Sequence, residues 1–343
     1  RVTGSPAPQK REEIMFDSVV VSAILTILIG VGGMFAYFWF SNWVLDTYIY
    51  PPRGAHAGRN INRANLIRPW LFLFPAIFAL GLYLVVPVFY SAWLSVTSGV
   101  AADGGWFRNY AEIFANETFR VSLLNNLLWV LVVPAASTAF GLLAAQLTDR
   151  LSWGNVAKSL IFMPMAISFV GASLIWSFVY HPDIEIGVIN AIRGLFGAEE
   201  GVTLIDGQIV DSFLLMVVLI WIQTGFAMVI LSAALRGVPE ETIEAAIIDG
   251  ANPFQIFFRI KVPQIMGTIL VVWTTITILV LKVYDIVAAM GNQYRNLEIL
   301  PTQMMQYFDS GNYGFATAIA VVIMILVLPV MFWNIRQARA EMR

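Results

Sequence analysis

Apolar positions along this chain gather into blocks instead of alternating, and seven blocks stand out: 16–43, 69–96, 121–147, 159–180, 212–235, 265–290 and 313–333. Each is near the roughly 20 residues that a helix needs to cross about 30 Å of hydrocarbon. A transmembrane barrel would show segments of about 10 residues with alternating polarity, and no such alternation occurs. Lipid offers the backbone no hydrogen-bond partners, so these blocks predict an all-α integral membrane protein with about seven transmembrane helices. A hairpin turning at 30–33 is the alternative for the first block, which is short for two crossings.

Charge in the intervening segments adds a direction. Residues 51–68 carry Arg53, Arg59, Arg63 and Arg68 with no acid, which predicts a cytoplasmic loop. Alternation then puts 148–158, 236–264 and the tail from Asn334 on the same side. These segments hold Arg150, Lys158, Arg236, Arg259, Lys261, Arg336, Arg339 and Arg343. The segment 181–211 has Arg193 against Asp183, Glu185, Glu199, Glu200, Asp206 and Asp211, as expected outside. An odd number of spans leaves the N-terminus periplasmic despite Lys10 and Arg11, which Glu12 and Glu13 offset. The chain begins at Arg1, which leaves its true start open, and no signal peptide is expected, because the apolar block is longer than a leader's and no small-residue cleavage site follows it.

Composition excludes several classes. Of 343 residues, 59% are hydrophobic and 12% charged, about half the charged share of a soluble domain, and the mean hydropathy is +0.75. Cysteine is absent, so disulfides, thiolate metal sites and Cys nucleophiles are impossible. His56 and His181 fall in separate loops on opposite faces, and no metal site is expected. No G-x-x-x-x-G-K-[ST] phosphate loop occurs, so any ATP hydrolysis belongs to another chain and this one is no enzyme. No nucleic-acid partner is expected; membrane lipid is.

The most informative stretch is 236–264. Pro239 followed by Glu240 and Glu241 predicts a helix start, with proline at the first position and carboxylates near the positive end of the dipole. Glu244, Ala245 and Ala246 continue that helix, and Gly250 after Asp249 ends it by taking the left-handed conformation. Asn252-Pro253 then caps and starts a second helix. Ile243, Ile247 and Ile248 give the first helix an apolar character suited to docking into a soluble partner's groove.

At these residues the chain resembles a known family. Glu244-Ala245-Ala246, Asp249-Gly250-Ala251, Phe257, Ile260 and Pro263 are similar to the EAA loop of binding-protein-dependent ABC importer permeases of the maltose/alpha-glucoside type. The likeness runs from Arg68 to the C-terminus, through Arg68-Pro69-Trp70-Leu71-Phe72, Trp176 with His181-Pro182, Trp221 to Met228, Tyr284-Asp285, and Phe308 with Gly311-Asn312-Tyr313-Gly314. A Gly-Gly-Pro run common in the family is replaced by residues 290–295.

The resemblance implies an N-terminal tail and extra span at 1–50, a basic cytoplasmic linker at 51–67, and a six-helix core at 68–343. It implies coupling to ATPases through Glu244, Ala245, Ala246, Asp249, Gly250, Ala251, Phe257 and Pro263. The implied partners are a second homologous permease, two ATPase subunits that use ATP and Mg, and a periplasmic or lipid-anchored solute-binding protein, all at a bacterial inner membrane. An oligosaccharide such as an alpha-glucoside is the implied solute. A polyol, glycerol phosphate or a non-transporting scaffold role are the alternatives.

Polar residues within spans are costly unless satisfied, so they point to pathways. Gln223, beside Trp221, Thr224 and Phe226, offers an amide near aromatic rings to a sugar, or a packing hydrogen bond between helices. Tyr284 and Asp285 are candidates at the outer gate, although Lys282 and Asp285 lie three apart and can simply pair. Asn125 and Asn126 read as interfacial caps.

Overall fold

The computed structural model describes residues 8–54, 57–149, 151–206, 211–291 and 295–341, with side chains described from 20 onward except 295, 334, 335 and 337–341. Expectations resting on Lys10, Arg11, Glu12, Glu13, His56, Arg150, Asn292, Gln293, Tyr294, Arg339 and Arg343 fall outside these. Among the described residues every regular element is helical. In chain order the helices are α1 (Pro8–Val44), α2 (Ala57–Leu80), α3 (Val86–Thr97), α4 (Ala101–Gly104), α5 (Arg108–Ala115), α6 (Glu117–Thr148), α7 (Gly154–Phe162), α8 (Phe169–Val179) and α9 (Val188–Leu195). They continue as α10 (Ser212–Arg236), α11 (Glu240–Ile248), α12 (Pro253–Gln255), α13 (Val262–Gln264), α14 (Met266–Leu281), α15 (Asp285–Met290), α16 (Leu300–Asp309) and α17 (Tyr313–Glu341).

Among the described residues, five helical stretches are long and apolar enough to span a membrane: Val20–Ile49, Ala57–Thr97, Glu117–Thr148, Ser212–Arg236 and Tyr313–Trp333. Two bent pairs, Gly154–Ala166 with Phe169–Val179 and Pro253–Gln264 with Met266–Leu281, bring the number to seven if each is one span. The first of these bends, and a separate break after Leu281, change two predicted elements. The 159–180 block is two helices meeting at 106°. Pro164 sits in a 3₁₀ turn that closes the first half, and Ser168 caps the second by accepting from the Gly171 N–H at 3.1 Å. The 265–290 block breaks after Leu281, and α15 starts afresh at Asp285. The 51–67 segment also differs from a linker, because α2 already begins at Ala57 and runs into the following span.

The chain forms two compact units, Arg1–Phe89 and Tyr90–Arg343. In the first, α1 runs unbroken through Gly30, Gly32 and Gly33. Pro75 lies inside α2 and cannot donate to the Leu71 carbonyl four residues earlier. The Tyr37 hydroxyl of α1 donates to that carbonyl at 3.0 Å. Nearby, one Arg68 nitrogen donates to both Asp46 carboxylate oxygens at 2.7 Å, and the Phe38 and Phe72 rings stack 5.0 Å apart.

In the second unit α10 lies along α6, and α14 packs against α6 and α17. Lipid gives little hydrophobic drive for helix association, so close backbone approach at small residues has to supply it. A Cβ on Gly141 of α6 would stand 2.4 Å from the Ala227 Cβ and 2.8 Å from the Met228 nitrogen, and one on Gly225 of α10 would stand 2.6 Å from the Ile161 carbonyl oxygen. Trp129, Leu219, Met228, Ile276 and Ile286 belong to the main core. A smaller core joins Ile113, Phe119, Leu300 and Ile319.

Candidate functional site

The loop after α10 is built almost wholly by local rules. Pro239 is the N-terminal cap of α11, one position earlier than the sequence predicts, with Glu240 and Glu241 in the first turn. The helix closes on Gly250, whose φ is +82°. Its N–H donates to the Ile247 carbonyl at 3.0 Å while the Ala251 N–H reaches back to the Ala246 carbonyl at 2.9 Å. These two bonds form a Schellman closure, which requires a left-handed residue at the glycine. Asn252 then caps the next helix. Its side chain accepts from the Gln255 N–H at 2.9 Å, and the Gln255 side chain accepts from the Asn252 N–H at 2.8 Å. This reciprocal pair is a capping box with Pro253 at the first helical position.

Beyond Gln255 the backbone widens into π-helical turns over Ile256–Lys261, with the Val262 N–H bonded to the Phe257 carbonyl. Pro263 cannot donate to Arg259, and a shifted ladder before it accommodates the missing N–H. Phe257 meets Phe258 edge to face at 4.9 Å. With Phe254 and with Leu143 and Leu147 of α6 these rings line an apolar groove of about 260 Å³.

The three isoleucines of α11 divide between two faces. Ile243 packs against the main core, and Ala246, one turn on, is buried. Ile247 and Ile248 point outward, Ile248 with 85% of its surface exposed. Glu244, Ala245 and Asp249 are exposed as well, and Pro263 with them. The inner face therefore fixes the helix to the bundle, and the outer face offers apolar and acidic groups without cover from this chain.

The candidate solute residues are less concentrated. Trp221 of α10 meets Trp176 of α8 edge to face at 5.8 Å. Thr224 is occupied, donating to the Ile220 carbonyl at 2.7 Å, and Phe226 packs on the main core. Gln223 is only 5% exposed, and its side chain has no hydrogen bond among the described residues. It stands two residues from Trp221, on a different side of the helix, so ring and amide do not share a face. Tyr284 is the N-terminal cap of α15 and Asp285 its first residue. Lys282 is the C-terminal cap of α14, so the predicted pairing with Asp285 along one helix fails: the helix break separates them, and no ion pair joins them among the described residues.

Asn125 and Asn126 are not caps. The cap of α6 is Asn116, which accepts from the Thr118 N–H at 2.8 Å, while the pair lies two turns inside and is buried. Asn125 donates to the carbonyls of Asn296 and Glu298 at 2.7 and 2.9 Å. Both polar atoms of Asn126, the Trp129 indole nitrogen and the Ser122 hydroxyl are buried without partners among the described residues. The sequence carried a signal for this stripe, because 122, 126 and 129 share one helical face.

Fold and loop define a multi-pass helical permease. A solved bacterial ABC transporter involved in the import of the acidic polysaccharide alginate has a chain of the same fold, with a TM-score of 0.70 at 21% identity over 82% of this chain and 98% of that one. The chain belongs to the binding-protein-dependent transport system inner membrane components, whose family model matches residues 137–339. It is 56% identical over 94% of its length to the alpha-glucoside transport system permease protein AglF of Rhizobium meliloti, of which it covers 98%. It is 43% identical over 79% of its length to the osmoprotective compounds uptake permease protein GgtC of Synechocystis, of which it covers 99%.

Proposed function

We propose that this chain is a membrane-spanning subunit of an ATP-driven importer for an alpha-glucoside, energised through α11 by separate ATPase subunits. The observation that carries the coupling role is the divided face of α11, anchored by Ile243 and Ala246 and bare at Ile247 and Ile248. ATPase closure displaces this helix and swings the spans between inward-facing and outward-facing states, a rigid-body form of alternating access. A second homologous permease completes the pathway, and an outer binding protein delivers the solute. Glu244, Ala245, Asp249, Gly250 and Ala251 present the docking surface, while Phe257 and Pro263 shape its return to α14. Loop 236–264 and the C-terminus lie in the cytoplasm, following the arginine distribution.

The solute assignment is supported by identity to the alpha-glucoside permease over nearly the whole chain. Gln223, largely buried and with no side-chain hydrogen bond among the described residues, is its foremost candidate contact, and Trp221, Tyr284 and Asp285 flank the route. The likeness to an osmoprotectant permease favours a second reading, a small polyhydroxylated osmoprotectant. Reconstitution of the full complex in proteoliposomes separates the two. Maltose, sucrose or trehalose with the cognate binding protein is expected to stimulate ATP hydrolysis and accumulate inside. Stimulation by a glycosylated polyol alone would install the second reading, and purification of this chain without any ATPase would end the importer reading.

A further inference from the structure

The carboxylate of Asp149 stands in the wrong place for local helix chemistry. It caps the C-terminus of α6, where the helix dipole is negative and a carboxylate is disfavoured. The turn that follows is tight. The Leu151 N–H donates to the Thr148 carbonyl at 3.3 Å and the Gly154 N–H to that of Leu151 at 3.1 Å. A Cβ on Gly154 would fall 2.1 Å from the Thr148 oxygen, so only glycine lets α7 start there. One turn into α7, Lys158 returns its ammonium to the Asp149 carboxylate.

Two further groups come from α10, more than 80 residues away in sequence. Lys158 donates to the Ser232 hydroxyl at 2.6 Å, and that hydroxyl donates to Asp149 at 3.2 Å. Arg236, one turn beyond Ser232 on the same face, donates to the same carboxylate oxygen at 3.2 Å. A loose surface pair would contribute little. Here the Lys158 and Asp149 side chains are only 15% and 25% exposed, and Ser232 is buried. Burial pushes the Asp149 carboxyl up, but the hydrogen bonds and charges of Lys158 and Arg236 outweigh it and hold the group below the usual carboxylate range.

The position of this cluster gives it a task. Arg236 is the last residue of α10, and only Gly237, Val238 and Pro239 precede α11. Val238 is buried in the main core, so the connection has little slack. We propose that Asp149, Lys158, Ser232 and Arg236 form a positioning node that makes the ends of α6, α7 and α10 move with the coupling helix. Displacement of α11 then reaches three spans together. The node rests on the assignment of α11 as the coupling element, and its function is to keep hydrolysis tied to solute movement.

The test uses the complete importer in proteoliposomes and reads ATP hydrolysed per solute imported. Asp149→Asn is expected to raise that ratio by about fivefold or more, the scale of a typical coupling free energy, while Asp149→Glu, which keeps the charge, stays near the wild type. Should Asp149→Asn not assemble, Arg236→Gln decides the matter, since Arg236 is 63% exposed and its loss is expected to raise the ratio in the same direction. An unchanged ratio in an assembled Asp149→Asn complex, or an unchanged ratio in Arg236→Gln, overturns the node. A rise in Asp149→Glu as large as in Asp149→Asn also overturns it. Failure of the coupling assignment has a different signature, because then the wild-type complex itself shows no solute-dependent hydrolysis.

Discussion

Between Pro239 and Gln255 every directional contact that sets the backbone closes within five residues of sequence, from Ala251 back to Ala246 and between Asn252 and Gln255. Asn125 in α6 instead reaches 171 and 173 residues along the chain for its two acceptors. Both regions obey the same demand that polar groups be satisfied. They differ in where the satisfying partner is encoded. A local partner leaves a spacing that can be read; a distant one leaves only a polar residue in an apolar run.

The sharpest way to break this comparison is at Gly250. A φ of +82° is closed to proline, whose ring fixes φ near −65°. Gly250→Pro is therefore expected to abolish solute-stimulated ATP hydrolysis while the chain still inserts and binds the second permease, because a Cβ at that position would meet no atom within 4 Å among the described residues. Uptake at wild-type rates by this variant would remove the loop from the coupling route. Asn125→Leu attacks the distant case. Two backbone carbonyls, that of Glu298 buried and that of Asn296 partly so, lose this donor, which should destabilise the bundle by about 1–3 kcal/mol. The checking measurement is the fraction of protein remaining monodisperse after heating in mild detergent, and a midpoint equal to the wild type would mean that the two carbonyls find other partners.

Legibility followed this division residue by residue. The apolar blocks declared the membrane class, and Gly250, Asn252 and Pro253 declared the ends of two helices, because propensity and capping are properties of adjacent residues. Bends were not visible in the same way. The break before Ser168 and the one after Leu281 fall inside blocks that read as single apolar runs despite Pro164, Ser168, Lys282 and Asp285, and hydropathy carries no record of direction. Gln223 was recognisable as a polar residue in a span, but its side of α10 relative to Trp221 follows from helical phase, which adjacency in sequence hides. Lys158 and Arg236 were legible only as positive charges between spans. Their convergence on Asp149 depends on the crossing of α10 over the α6–α7 turn.

Smaller effects refine the comparison. Asn252→Ala removes one half of the capping box and should cost about 1 kcal/mol, felt as a modest fall in coupling efficiency and not in expression. An effect on uptake as large as that of Gly250→Pro would show that Asn252 has a role beyond its local bonds, contrary to the view that this loop is locally determined.

The pair formed by Pro75 and Tyr37 stands between the two cases and gives the finest test. Pro75 announces in the sequence that the Leu71 carbonyl lacks its helical donor, yet nothing local names the group that replaces it. In the fold the Tyr37 hydroxyl, 34 residues earlier, supplies the bond at 3.0 Å. Tyr37→Phe keeps the ring that stacks on Phe74 and removes only the hydroxyl. The expected loss is about 0.6 kcal/mol, the mean for hydrogen bonds between membrane helices. A double-mutant cycle with Pro75→Ala measures it: restoring the helical donor should make Tyr37→Phe neutral. If the two changes prove additive, the hydroxyl is not standing in for the missing N–H, and α1 is held to α2 by its aromatic contacts and the Asp46–Arg68 pair alone.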